Sequence, residues 1–181
     1  KELYHAHAQR LALMLQNQTE EEFADSRFQV LSELTRLRQL CCDLALVYEN
    51  YEGGSAKLDL CIELIQSAVE SGHKILLFSQ FTSMIEILTA RLQEESISCF
   101  VLQGSTKKEQ RAQMVEQFNR DDTSVFCISL KAGGTGLNLT GADIVIHYDP
   151  WWNVAVENQA TDRAHRIGQK NVVTVYKLIA K

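Results

Sequence analysis

Arg163 and Arg166 stand three residues apart in the segment Gln159–Gln169, QATDRAHRIGQ. On a helix that spacing puts both guanidiniums on one face. Two such cations repel unless an anion lies beside them. The guanidinium is a fork-shaped donor that keeps its charge, so a polyphosphate is a natural partner. A solvated basic face with Asp162 as ion-pair partner is the other reading of the same residues. His165, between the arginines, reads as a structural hydrogen-bonding group. A second candidate is the run Lys131–Asn138, where Gly133, Gly134 and Gly136 fall within four residues, with Ser129 just upstream. Glycines there let the backbone approach a ligand and aim N–H groups at an anion. No Gly-Lys-Ser/Thr follows, so this is not a Walker A loop. A tight turn from strand to helix fits the glycines as well. In Gln103–Arg111, QGSTKKEQR, Gly104 and Ser105 precede Lys107, Lys108 and Arg111 at the start of a helix. Cations oppose the helix dipole there, which favours phosphate contact over a solvated face interspersed with Glu109. Trp151 and Trp152 follow Pro150. At least one caps the core, and the other can stand at the surface against a nucleic-acid backbone.

The elements that must hold these groups are legible from rhythm. Residues 1–50 contain no Pro or Gly. They lack strand alternation and read as two helices, about 1–17 and 20–47. Gly53-Gly54-Ser55 breaks the pattern. Leu58, Cys61, Ile62, Ile65 and Val69 then form an apolar stripe that Gly72 stops. Beyond it, apolar runs at 74–78, 98–102, 124–128, 143–148 and 172–178 alternate with helical stretches near 82–95, 107–119 and 153–166. Such strands imply a parallel sheet covered on both faces with right-handed crossovers. In open parallel sheets, ligands bind beyond the carboxyl ends of the strands. Four successive strand ends deliver Ser79-Gln80, Gln103–Thr106, Ser129–Gly136 and Asp149–Asn153 to one rim.

Bulk properties bound the classes. The 181 residues suffice for one well-cored domain, and the apolar and charged fractions, 45% and 23%, are ordinary for a globular protein. No apolar run approaches the roughly 20 residues that span a bilayer. No leader pattern is present. The chain starts and stops inside structured segments, which suggests a piece of something longer. Five cysteines without CxxC spacing argue against a metal site and for buried thiols in a reducing compartment. The net charge of −5 is uneven. Residues 1–73 carry six Lys and Arg against twelve Asp and Glu, whereas residues 74–181 carry twelve against eleven. A small basic surface can thus bind phosphates without a basic domain.

Together, ISLKAGGTGLN at Ile128–Asn138, YDPWWN at Tyr148–Asn153 and QATDRAHRIGQ at Gln159–Gln169 closely resemble motifs V and VI of the Swi/Snf branch of superfamily-two helicases. KILLFSQF at Lys74–Phe81 looks like motif IV, and Gly104-Ser105-Thr106 like the next conserved turn. LTRLRQLCCDLALV at Leu34–Val47 is similar to the helix that precedes the lobe's sheet. The wording looks closest to bacterial members. The resemblance implies an α/β fold: a RecA-like parallel sheet with helices on both faces, plus an N-terminal helical extension. Residues 1–55 would be that extension, packed on the lobe, and 56–181 the second helicase lobe. It further implies that Arg163 and Arg166 are arginine fingers reaching a γ-phosphate held by the first RecA-like lobe of the same chain, with Gln159 positioning them. Gly136 and Asn138 would lie near the nucleotide. Ser79, Gln80, Gly104, Ser105, Ser129, Lys131 and Trp152 would face a double-stranded DNA backbone, which positions without reading sequence.

The chain departs from the family pattern at Val154 and Leu44, where relatives usually carry Pro, and at Leu130 and Thr135. It has no Walker A and no acidic Mg²⁺-binding run. The resemblance therefore implies that ATP with Mg²⁺ is bound mainly by the first lobe, and that this chain alone does not hydrolyse it. It expects nucleoprotein complexes as further partners, no membrane, no metal of its own, and a cytoplasmic, nucleoid-associated place if bacterial or a nuclear one if eukaryotic. A non-catalytic interaction module on the same fold and an RNA helicase lobe are the alternatives.

Overall fold

A computed structural model describes residues 1–16, 19–130, 132, 137–151 and 153–180. Its chain contacts divide into two compact units, Lys1–Ser55 and Ala56–Lys181.

The first unit pairs two helices, α1 (Glu2–Gln16) and α2 (Glu20–Leu40), followed by a 3-10 turn at Leu44–Leu46. Leu11, Val30 and Leu37 form its small core, with Ala8, Met14, Leu34 and Leu40 against them. Thr19 starts α2 with a capping box. Its hydroxyl accepts from the Glu22 N–H, and the Glu22 carboxylate accepts from the Thr19 N–H at 2.8 Å. The helix expected to run to residue 47 stops at Leu40. Asp43 accepts from the Ala45 N–H at 2.8 Å and so caps the separate 3-10 turn that follows. Within this unit His7 Nε2 lies 3.0 Å from the Tyr48 hydroxyl.

The second unit begins with α3 (Ala56–Glu70), which ends at Gly72 with φ +81°. The His73 N–H donates back to the Ala68 carbonyl, and the left-handed residue this turn needs is the glycine. Five parallel strands follow: β1 (Ile75–Ser79), β2 (Cys99–Leu102), β3 (Val125–Ser129), β4 (Ile144–His147) and β5 (Thr174–Lys177), in the order β2-β3-β1-β4-β5. Helices α4 (Thr82–Glu94), α5 (Lys108–Arg120) and α6 (Val154–Thr161) connect them. Every residue of β1, β3 and β4 is buried, which is why these runs are apolar throughout instead of alternating. On one face Leu76, Phe78, Leu102, Phe126, Ile128 and Val145 pack with Phe118 of α5 and Ala160 of α6. The buried residues of α3 and α4 include Ile62, Ile65, Met84, Ile85 and Leu88. The α/β parallel sheet expected from sequence is the observed fold.

No disulfide joins the cysteines: Cys42, Cys61 and Cys127 are buried, and Cys41 and Cys99 half-buried. Burial pushes the Cys61 thiol up to about 12, so it is inert as a nucleophile at neutral pH.

Candidate nucleotide and nucleic-acid interface

The carboxyl ends of β2, β3, β1 and β4 lie side by side, so the loops that follow them share one rim. The turn after β2 is stiff. Thr106 donates its N–H to the Gln103 carbonyl, and its hydroxyl accepts from the Gln103 N–H, each at 3.0 Å. That turn presents Gly104 and Ser105 to solvent, with open space where a Gly104 Cβ would stand.

Arg111 does not point outward from this segment. Its guanidinium donates to the carbonyls of Thr106 at 2.8 Å, Ala132 at 2.9 Å, Gly104 at 3.1 Å and Gln103 at 3.4 Å. Four of its five N–H groups are thus committed to backbone, and the expectation that it contacts phosphate is replaced by a structural role. Lys107 and Lys108 remain exposed.

After β1, Ser79 is buried, and its hydroxyl accepts from the Phe81 N–H at 3.2 Å. Gln80, 8% exposed, donates its backbone N–H to Asp149 Oδ2 at 3.1 Å. Burial raises the Asp149 carboxyl above its ordinary value, against the pull of Ser79, the Gln80 N–H and Lys57. Lys57 Nζ sits 4.7 Å from the Tyr148 ring centre. Lys57 and Asp149 thereby join the rim. Asp149 belongs to the YDPWWN run read from sequence, whereas Lys57 was missed because it forms no pattern with its sequence neighbours.

Ser129 is buried at the end of β3, and the Leu130 N–H donates to the Ser79 carbonyl at 2.9 Å. Lys131 and Gly136, candidates in the glycine-rich run, lie outside the described residues, as does Trp152. Where the chain emerges, Asn138 is exposed and its carbonyl accepts from Asn119 Nδ2 at 2.8 Å. The Gly141 N–H donates to Asn119 Oδ1 at 2.9 Å, and the Leu139 N–H to the Arg163 carbonyl at 3.0 Å.

Helix α6 was expected to reach residue 166, but it ends at Thr161. Arg163 and Arg166 therefore occupy consecutive turns instead of one helical face. The cause is local. Backbone bonds shorten to the third residue back (Arg163 N–H to Ala160, Ala164 N–H to Thr161). Gln169 Nε2 reaches the Ala164 carbonyl at 3.2 Å and that of Ala142 at 2.7 Å. Gly168 supplies φ +107°. Gln159 and Arg166 are exposed, whereas Arg163 is 4% exposed, its Cζ 5.3 Å from the centre of the Phe78 ring. Burial first, then Arg166, pushes the Arg163 guanidinium down to about 10, and it keeps its charge at neutral pH. Beneath, buried Glu157 accepts from the Trp151 N–H at 2.6 Å and from Lys177. His147 stacks on Phe78 and lies 3.1 Å from the Thr161 hydroxyl. These bonds fasten α6 to β4 and β5, and so fix the start of the arginine segment.

Among the described residues, no three His, Cys, Asp or Glu side chains are grouped so as to hold a metal ion. Among the described residues near this rim, Lys107, Lys108 and Arg166 are exposed cations, which suit an anionic ligand.

The model of the helicase conserved C-terminal domain matches residues 56–168. An uncharacterized ATP-dependent helicase of Mycoplasma pneumoniae is 45% identical over 160 residues, which is 86% of this chain and 15% of that protein. The putative ATP-dependent helicase/translocase YwqA of Bacillus subtilis is 45% identical over 157 residues, 83% of this chain and 17% of that one. Among solved structures, the Sulfolobus solfataricus SWI2/SNF2 ATPase core in complex with dsDNA superposes with a TM-score of 0.82 at 32% identity, over 98% of this chain and 37% of the other. The chain spans less than a fifth of the curated relatives it matches. With more than half of the chain matched by the domain model, and nearly all of it superposed on a SWI2/SNF2 core, this chain belongs to the helicase conserved C-terminal domain family, as a RecA-like lobe of the Swi/Snf ATPase type.

Proposed function

We propose that this chain is the second motor lobe of an ATP-dependent double-stranded-DNA translocase that remodels nucleoprotein. The observation that carries this is the seat of the arginine pair. Arg163, buried and held down to about 10 by burial and by Arg166, lies one turn before the exposed Arg166, and the Arg163 carbonyl holds the exit of the glycine-rich loop at Leu139. One buried and one exposed cation beside the exit of that loop suit a γ-phosphate presented by a facing lobe.

ATP with Mg²⁺, held mainly by the first lobe, supplies the phosphoryl group. The residues of this chain bind and orient it. Arg166, exposed, reaches the γ-phosphate as the lobes close, and Arg163 adds charge from its seat on Phe78. Gln159 orients the pair, and Asn138 and Gly136 approach the nucleotide. Gly104 and Ser105 meet the DNA backbone on their stiff turn, and Lys131 and Trp152 contact the same backbone. Ser79, Gln80 and Ser129, buried at the strand ends, hold those loops in register toward the same backbone. The setting is the cytoplasm or nucleus, and no described helix is long and apolar enough to cross a membrane.

The test is steady-state ATP turnover of the parent protein with duplex DNA, single-stranded RNA or neither. The proposal expects duplex DNA to stimulate turnover and the 181-residue chain alone to give none. Stimulation by RNA alone points to an RNA helicase lobe. A parent inert with every nucleic acid points to an interaction module.

A further inference from the structure

Helix α5 holds the glycine-rich loop at both ends. At its start, Arg111 donates to the Ala132 carbonyl, and near its finish Asn119 bonds to the Asn138 carbonyl and the Gly141 N–H. The second hold is tight. A Cβ on Gly141 would lie 2.9 Å from Asn119 Oδ1 and 3.0 Å from Asn119 Cα. The first hold has another branch, because the same guanidinium binds the carbonyls of Gln103, Gly104 and Thr106, the turn after β2. One planar group therefore ties the Gln103–Thr106 turn to Ala132 at the start of the second loop, and the far end of that loop is bonded through Leu139 to the Arg163 carbonyl.

We infer that Arg111 is a positioning residue that transmits DNA engagement at the Gln103–Thr106 turn to the glycine-rich loop and, through Leu139, to the arginine pair. The inference rests on the motor-lobe reading. It assigns Arg111 no contact with phosphate or nucleotide. Its effect is to make the Gln103–Thr106 turn and Ala132, within the start of the glycine-rich run, move together when DNA presses on the exposed Gly104-Ser105 turn. Only a fork with several fixed donors can satisfy four carbonyls at once. A lysine ammonium keeps the charge but not that geometry.

The charge-conserving variant therefore separates this role from electrostatic attraction to DNA. In the full-length parent, Arg111→Lys and Arg111→Ala are compared with wild type for turnover with and without duplex DNA, KM for ATP, and the DNA concentration giving half-maximal stimulation. Both variants should keep DNA-independent turnover and KM within about twofold and lose about tenfold of the DNA-stimulated rate, equivalent to ~1.4 kcal/mol of coupling. Full stimulation in Arg111→Lys overturns the inference, because charge alone then suffices. Equal proportional loss of basal and stimulated rates in both variants also overturns it, because the role is then general folding support. Hydrogen exchange in the DNA-free parent gives a readout that does not depend on the motor reading. Arg111→Ala should speed exchange in both 103–106 and 137–142, and unchanged protection in 137–142 contradicts the link. A wild type that no DNA stimulates, with exchange altered as expected, overturns the motor reading and leaves the loop link standing.

Discussion

His147 is a histidine that folding keeps neutral. It is 1% exposed and stacked on Phe78 at 5.5 Å. Burial lowers its pKa from 6.5, helped by Lys177 and Arg163 and opposed by Glu157. The unfolded chain takes up its proton first as pH falls below 6.5, so stability declines with acid between that value and the depressed folded value. Urea unfolding of the 181-residue chain should lose stability as pH falls from 7.5 toward 5, with His147 contributing at most about 1.4 kcal/mol per pH unit. His147→Gln, which can keep the bond to Thr161, should flatten that slope, and an unchanged slope would show that other groups titrate. At this scale the sequence carried part of the site. The arginine pair and the glycines were visible because their types and spacing are unusual. The Arg111 clamp was invisible because all its partners are carbonyls, which every residue carries. Glu157 and Lys177 pair across 20 positions, with no local pattern to betray them.

The strands were legible to within a residue or two: β1, β3 and β4 because burial on both faces demands uninterrupted apolar runs, β2 and the exposed β5 because their β-branched and aromatic residues follow helical stretches. The strands observed, such as 75–79 for 74–78, begin slightly later than read. Helix ends were less legible. The end of α6 depends on Gln169 reaching back to the Ala164 carbonyl, a contact that helical periodicity does not encode. The end of α4 shows a second kind of detail. Ser96 adopts φ +58° where the Ile97 N–H bonds back to the Leu92 carbonyl, the same turn that Gly72 makes after α3. Ser96 is exposed and in the left-handed region, so Ser96→Gly should stabilise the chain by about 0.5–1 kcal/mol, read as a raised urea midpoint at constant m. A lowered midpoint would mean that the serine side chain does more there than tolerate the turn.

Taken whole, the chain divides its charge unevenly. Residues 1–73 carry the acidic excess, and from Gln159 onward five Lys and Arg stand against one acid, Asp162. Its fold and family were accessible from the ordered motifs, and the resemblance carried by those motifs also implied a double-stranded DNA partner. The central claim of the proposed function is that Arg166 completes a phosphoryl-transfer site held by a facing lobe. The most direct measurement is single-turnover ATP hydrolysis by the full-length parent on saturating duplex DNA, wild type against Arg166→Ala, with nucleotide affinity measured in parallel. The account predicts a rate lowered by about 10³-fold or more with ATP affinity within about threefold of wild type. An Arg166→Ala rate close to wild type would contradict it and return Arg166 to the status of a solvated surface cation.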